Sequence, residues 1–533
     1  MRSTHYTAAL LVVGALALGP APAPARAQEP TTSSEYIKRG NTRLGSGDYD
    51  GALADYTRAI ELNPSSGVAY YNRGLALDRK KDDDGALAAY SRAIELNPSD
   101  TDSYTNRGNV RQRRLDIDGA IADYSRAIEL NPQDPVPYNN RGNARRKGKD
   151  SDGAMADYAR ALELDPRYAL VYDNRGDTQL ERGDVDAAIA DYTRAIELAP
   201  REAGYYFDRA LAREQKSDAA GAIADYSKAI ELDPRHVGAY NNRGNRRRDQ
   251  GDVDGAIADY TRALEVNPRY ALAYNNRGYA RRVKGELDLA LADYTRAVEF
   301  DPSYARAFDG RGDVRMLKGD LDGAIADYGR ALAADSTYTT AYVDRGFARA
   351  AKGEHAAALA DYGVALARQP RWPYYIEGRA WVQLGAHHGD SALADVRRFL
   401  DVAGAHHAHS HYAVLVGALA LRVQNKSEEG VAFLNAWMPQ TDTTAWPYPA
   451  LRYLRHDIDA ATLLALATND DKMTEAHTYI GVDLAAAGRD AAALPHLQWV
   501  RSHGNKTYFE YPLALAELRR LERRVAPAVS KKP

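Results

Sequence analysis

No cysteine occurs among the 533 residues. Disulfides, thiolate nucleophiles and a lipid anchor on an N-terminal cysteine are therefore excluded. The chain also lacks G-x-S-x-G, a glycine-rich phosphate loop and H-E-x-x-H, and no pair of carboxylates stands out from the many acidic residues. A non-catalytic protein without a cofactor is the expectation. Charge of one sign is missing too: 70 basic residues face 73 acidic ones, a net charge of −3. That balance is too close to neutral for an electrostatic binder of nucleic acid. Long apolar runs are absent except for residues 8–19, AALLVVGALALG. These twelve residues fall short of the roughly 20 that span a bilayer. With Arg2 and His5 before the run and Ala25-Arg26-Ala27 after it, residues 1–27 read as a signal peptide cleaved after Ala27. The mature chain is expected to be exported without a membrane span. The form of the signal and the alanine- and arginine-rich composition point to a bacterial periplasmic or secreted protein.

What the chain has in quantity is repetition. Prolines recur at Pro64, Pro98, Pro132, Pro166, Pro200, Pro234, Pro268 and Pro302, each 34 residues after the last. Glycine keeps the same period from Gly40 to Gly346, with Ala210 in one place. A fixed period in this range marks a solenoid, in which each unit packs only on its neighbours. Such an array escapes the size limit of roughly 250–300 residues on a single core. If the first unit starts at Ser33, the glycine takes position 8, alanine position 20, tyrosine position 24 and proline position 32. Of the 36 tyrosines, nineteen occupy positions 4 and 24, so the tyrosine excess is structural and not a platform for stacking bases. Positions 4, 7, 8 and 11 form one stripe on a first helix, and positions 20, 21, 24, 27 and 28 one stripe on a second.

These residues resemble the tetratricopeptide repeat, a 34-residue helix–turn–helix unit. The resemblance implies an all-α, right-handed superhelical solenoid with eleven tandem units over residues 33–406, the last one degenerate. Residues 407–525 read as a divergent helical cap related to the repeats, with helix pairs over 412–438 and 475–501, a loop over 439–449 and a closing helix over 511–524. Residues 526–533 read as a disordered tail. One position departs from the family: position 7, commonly leucine there, is arginine in every unit from Arg39 to Arg379. A charge on a packing stripe needs a partner, because desolvation costs several kcal/mol. Aspartate at position 23, from Asp55 to Asp395, shares the facing stripe, and a forked arginine–carboxylate pair is expected, Arg39 with Asp55 being the first. Unit 2 has Ala89 in place of that aspartate.

The resemblance also implies that the other face of the first helix binds extended peptides. Position 6 there holds Asn72, Asn106, Asn140, Asn174, Asn242 and Asn276, with Asp208 and Asp344 in two further units. Position 9 adds Asn41, Asn109, Asn143 and Asn245. Amides both donate and accept, so such a ladder can match a peptide backbone. The expected function is therefore a protein–protein interaction scaffold of the cell envelope. Two other readings are open. Basic first-helix ends (Arg111, Arg113, Arg114; Arg145, Arg146, Lys147; Arg246, Arg247, Arg248; Arg281, Arg282) can dock an anionic envelope polymer, or merely complement helix dipoles. The cluster His406, His407, His409 and His411 can hold a metal, or be a solvated helix start.

Overall fold

A computed structural model describes residues 29–529, with side chains through Arg524. The expected signal peptide, residues 1–27, and its cleavage site therefore lie outside the described residues. The chain divides into two compact units, one ending at Ser217 and one beginning at Asp218. The described residues hold 29 α-helices, a single 3₁₀ turn and no strand. No helix among them is long and apolar enough to cross a membrane.

The first unit contains five helix pairs, from Ser33–Gly45 with Tyr49–Leu62 to Ala169–Arg182 with Val185–Leu198, and then the helix Ala203–Gln215. The second opens on Ala219–Leu232 and continues with five more pairs, from Val237–Asp249 with Val253–Val266 to Pro373–Gly385 with Gly389–Ala403. The punctuation is local chemistry. Gly47 adopts φ 82°, a left-handed conformation that a side chain would strain, and so ends the first helix. Asp48 then accepts from the Gly51 amide and caps the second helix. Position 8 is glycine because position 24 needs the space: a Cβ on Gly40 would stand 2.6 Å from the buried Tyr56 ring.

The arginine–aspartate pair forms within the repeat. In nine repeats the position-7 guanidinium meets the position-23 carboxylate, as in Arg107 Nε and Nη2 to Asp123 at 3.0 and 2.6 Å. In many of them a second arginine, at position 11, grips the same carboxylate: Arg111 reaches Asp123 at 2.8 Å and Arg349 reaches Asp361 at 2.6 Å. The position-7 arginine also lies over its own position-4 ring, Arg107 being 5.7 Å from the Tyr104 centroid. Its remaining nitrogen crosses to the preceding repeat, Arg107 donating to Ser91 Oγ and Arg141 to Ser125 Oγ. A charge that elsewhere would disfavour burial here satisfies three partners and ties neighbouring repeats together.

Beyond residue 406 lie the helices Ser410–Arg422, Ser427–Trp437, Asp470–Ala486 and Asp490–His503. Two short helices, Tyr448–Leu454 and Ala460–Leu466, were not legible, since each is held by tertiary burial of residues such as Leu451 and Leu463. The closing helix is longer than expected, Glu510–Val529, and takes up four residues assigned to the tail; residues 530–533 lie outside the description. It does more than cover the last repeat. Phe509 stacks on Trp381 (6.3 Å) and meets Phe347 edge-on (5.6 Å), while Arg519 donates to the Ala351 carbonyl at 2.8 Å and Lys506 to that of Leu317 at 3.3 Å. The C-terminal segment thus lies back across the first helices of repeats 9 to 11. Repeats 10 and 11 carry Phe347 and Trp381 at position 9, where asparagine would need no cover.

Candidate functional site

The asparagines of positions 6 and 9 come together, but largely with one another. Position 9 is the acceptor for the core tyrosine: the hydroxyls of Tyr56, Tyr124, Tyr158 and Tyr260 donate to Asn41, Asn109, Asn143 and Asn245 at 2.7–2.8 Å. The same Oδ1 atoms accept from position 6 of the next repeat, Asn72 to Asn41 at 2.9 Å, Asn140 to Asn109 at 3.1 Å and Asn276 to Asn245 at 3.2 Å. Asn72, Asn174 and Asn276 are only 8% exposed. The ladder is therefore first an inter-repeat zipper under the tyrosine core. Asn41 is exposed, and Asn106, Asn109, Asn140, Asn143, Asn242 and Asn245 are half-buried at the face. The sequence pattern could not reveal that the carbonyl oxygens were already engaged, because the bond from position 6 to position 9 spans two repeats.

Position 5, which sequence reasoning passed over, completes the face. Asn174 Nδ2 donates to Asn139 Oδ1 at 2.8 Å, and Asn276 Nδ2 to Asn241 Oδ1 at 3.0 Å. Elsewhere the same stations hold carboxylates: Asp173, Asp177 and Asp208 in the first unit, and Asp309, Asp313 and Asp344 in the second. Burial, with Asp208 and Asp177 nearby, pushes the Asp173 carboxyl up to about 8. Burial and Asp177 raise Asp208 to about 7, while Arg146 opposes the shift. Burial and Asp313 raise Asp309 to about 7, and Asp313 and Asp344 move in the same direction, chiefly through burial.

A second acidic hollow, about 330 Å³, lies among Glu377, Trp381, His409, Tyr412, Glu475 and Glu510. Its carboxylates are internally matched: Glu475 accepts from Trp446 Nε1 at 2.8 Å, Glu510 from the Tyr479 hydroxyl at 2.6 Å, and Glu377 pairs with His409 at 2.9 Å. The histidine cluster does not converge. His409 turns to Glu377, His411 to the Asp442 carbonyl at 2.7 Å, and His407 accepts from the His409 amide. Among the described residues the group whose ligand atoms all lie within 4.8 Å of one another is Asp309, Asp313 and Asp344.

The basic helix ends are mostly spoken for. Arg113 pairs with Asp78 and Asp83, Arg114 with Asp84, Arg146 with Asp177 and Lys284 with Asp254. Several of these partners open the second helix of the preceding repeat, so the charges stitch neighbours together and leave little free positive field.

Comparison with known families decides the assignment. A tetratricopeptide repeat profile matches residues 37–101, 174–236 and 241–305, a TPR repeat profile matches 116–148 and 312–353, and a second tetratricopeptide repeat profile matches 137–168. Together they cover more than half of the chain. The chain belongs to the tetratricopeptide repeat family. Among solved structures, this tetratricopeptide repeat protein is similar to MamA, at 27% identity over 31% of this chain and 96% of that one, with a TM-score of 0.29. It is also similar to YrrB, described as a TPR protein with an unusual peptide-binding site, at 24% identity over 34% and 95% of the two chains and a TM-score of 0.29. Yeast Tom70 is 16% identical over 76% of this chain and 98% of its own, with a TM-score of 0.35. No curated protein matches the chain.

Proposed function

We propose that this protein is a non-catalytic scaffold of the bacterial cell envelope that holds an extended segment of a partner protein along the first-helix face of its repeats. One observation carries the reading. The chain's own residues 505–523 already lie on that face of repeats 9 to 11, with the Phe509 ring against Phe347 and Trp381 and side-chain donors on the carbonyls of Leu317 and Ala351. The face thus accepts a further segment of chain, here one that is mostly the helix Glu510–Val529, by apolar contact and by side-chain donors on its helix carbonyls. In earlier repeats the same face presents Asn41, Asn106, Asn109, Asn140, Asn143, Asn242 and Asn245, whose amide groups retain hydrogen-bonding capacity beyond the bonds made internally. The buried Asn72, Asn174 and Asn276 shape this floor from beneath.

The test is site-specific photo-cross-linking in the native envelope. A photoreactive residue at position 106 or 140 reports on the first-helix face, and one at position 58 or 126, on exposed arginines of second helices, reports on the opposite side. A discrete protein adduct at 106 and 140 alone is expected. Adducts equally strong at 58 and 126, or confined to them, would overturn the assignment of the face.

A further inference from the structure

Three stations recur wherever two repeats meet: positions 5 and 9 of one first helix and position 6 of the next. In repeats 4–5 they are Asn139, Asn143 and Asn174, and in repeats 7–8 Asn241, Asn245 and Asn276. An amide both donates and accepts, so Asn276 donates to both Asn241 and Asn245 in one trio, and Asn174 donates to Asn139 in the other. In repeats 5–6 all three stations become Asp173, Asp177 and Asp208, and in repeats 9–10 they become Asp309, Asp313 and Asp344. An arginine accompanies each set at the same distance along the chain, Arg146 and Arg282. Every member of the second set stands four repeats after its counterpart in the first.

Ionised carboxylates only accept, and these sets have too few donors. Asp313 takes the Tyr328 hydroxyl at 3.0 Å and has Arg282 at 3.7 Å; Asp309 takes the Tyr338 hydroxyl at 2.9 Å on Oδ2. The other oxygen, Asp309 Oδ1, is buried with no hydrogen-bond partner on a residue that is 8% exposed, and Asp344 makes neither a hydrogen bond nor an ion pair among the described residues. In the first unit Asp177 takes Tyr192 at 2.9 Å and Arg146 at 2.6 Å, while Asp173 Oδ1 is buried without a partner. Beside Asp309 and Asp313 opens a cavity of about 340 Å³ lined by the rings of Tyr279, Tyr294 and Tyr338 and by Arg248, Arg282 and Arg306. The first two of these arginines each lie 5.2 Å from the Tyr279 centroid.

We propose that each acidic trio is a receptor for one basic side chain, a lysine ammonium or arginine guanidinium, of a segment bound along the first-helix face. At the second trio this side chain enters from the side of repeat 8, because the chain's own Thr507 and Phe509 line the hollow beside Asp313 and Asp344. The proposal rests on the peptide-binding reading above and names the chemistry of the partner. In the second set one oxygen each of Asp309, Asp313 and Asp344 lies within 4.8 Å of the others, which matches the donors of an ammonium, since N–H···O bonds of about 2.8 Å in tetrahedral array place the acceptors roughly 4.6 Å apart. The rings of Tyr294 and Tyr338 suit an aliphatic stem, while Tyr279 is already engaged by Arg248 and Arg282. A divalent metal is the poorer match, because an arginine already faces the position-9 carboxylate in both sets. The raised carboxyls fit the same reading: burial holds them back from ionising, and an incoming cation draws them into the charged form.

The test uses the purified full chain and a random library of 15-residue peptides. Selected peptides are resynthesised with each lysine acetylated and each arginine replaced by citrulline, and are titrated against the parent and two variants, D173N/D208N and D309N/D344N. The substituted amides already occupy these stations in other repeats, so both variants are expected to fold, and circular dichroism checks that they do. Peptides enriched in basic residues, with affinity falling about tenfold or more on acetylation or citrulline replacement and in at least one variant, are expected. Peptides that bind with no dependence on basic residues or on these aspartates would overturn this proposal and leave the groove reading standing. Failure to select any peptide would overturn both. Calcium, magnesium and manganese chlorides are titrated separately, and saturable heat lost in D309N/D344N would replace the basic side chain by a metal.

Discussion

Tyr158 donates its hydroxyl to Asn143 Oδ1 at 2.7 Å, across the two helices of one repeat. The tyrosine ring is wholly buried, so the amide is its outlet to the first-helix face. Replacing Asn143 by alanine strands a buried hydroxyl, at a cost of about 1–3 kcal/mol. Among the described residues Tyr90 and Tyr362 show such stranded hydroxyls, where position 9 is Leu75 and Phe347. Faster amide exchange in Ser151–Leu164 of the N143A variant is the expected result. Exchange identical to the parent would show that the bond contributes nothing.

Repeat 2 offers a gain of stability. Arg73 lies over Tyr70 at 5.0 Å, but its Nε is buried without an acceptor because position 23 is Ala89. Ala89→Asp restores the fork that nine other repeats possess and is expected to stabilise repeats 1 to 3 by about 1–3 kcal/mol. Its mirror, Asp123→Ala, leaves Arg107 and Arg111 facing a vacancy and is expected to cost about 3–5 kcal/mol. Hydrogen exchange resolved by repeat measures both, since a long array need not unfold in one step.

The acidic trio in the first unit sets a pH dependence. Asp173 is held up to about 8 and Asp208 to about 7 by burial, with Asp177, Arg146 and the Tyr192 and Tyr205 hydroxyls as charged or titratable neighbours. The folded carboxyls therefore retain protons that the unfolded chain releases near pH 4, where ordinary carboxyls titrate. Stability contributed by these groups falls as pH rises from about 4 to 8. Exchange protection in Ala169–Arg182, corrected for intrinsic rate, is expected to be greater at pH 5.5 than at pH 8.5, and the difference to shrink in D173N. A difference of the opposite sign would refute this account.

Phe509 holds the C-terminal segment on the repeats, through Phe347 and Trp381. Phe509→Ala is expected to remove about 1–3 kcal/mol of local stability, the ring being half-buried. Exchange should rise in Thr339–Lys352 and Pro373–Gly385 as well as in the closing helix. A rise confined to residues near 509 would show that the segment does not protect the face.

The sequence by itself determined the repeat unit, its two helices and the pairing of Arg39 with Asp55, because each of these is a relation inside one period of 34 residues. Local capping, a glycine under a tyrosine and a charge needing its opposite are all written in one repeat. The tertiary structure decided what joins one period to another. It turned Asn72, Asn140 and Asn276 into donors toward the repeat before, and gathered Asp309, Asp313 and Asp344 from two repeats into one cluster. It also laid residues from beyond position 504 on helices more than 120 residues earlier in the chain. Periodicity reports which residues share a helix face. Which faces meet depends on the packing of successive units and on apolar side chains such as Phe347 and Trp381 finding cover, and those free energies arise only when distant parts of the chain are brought together.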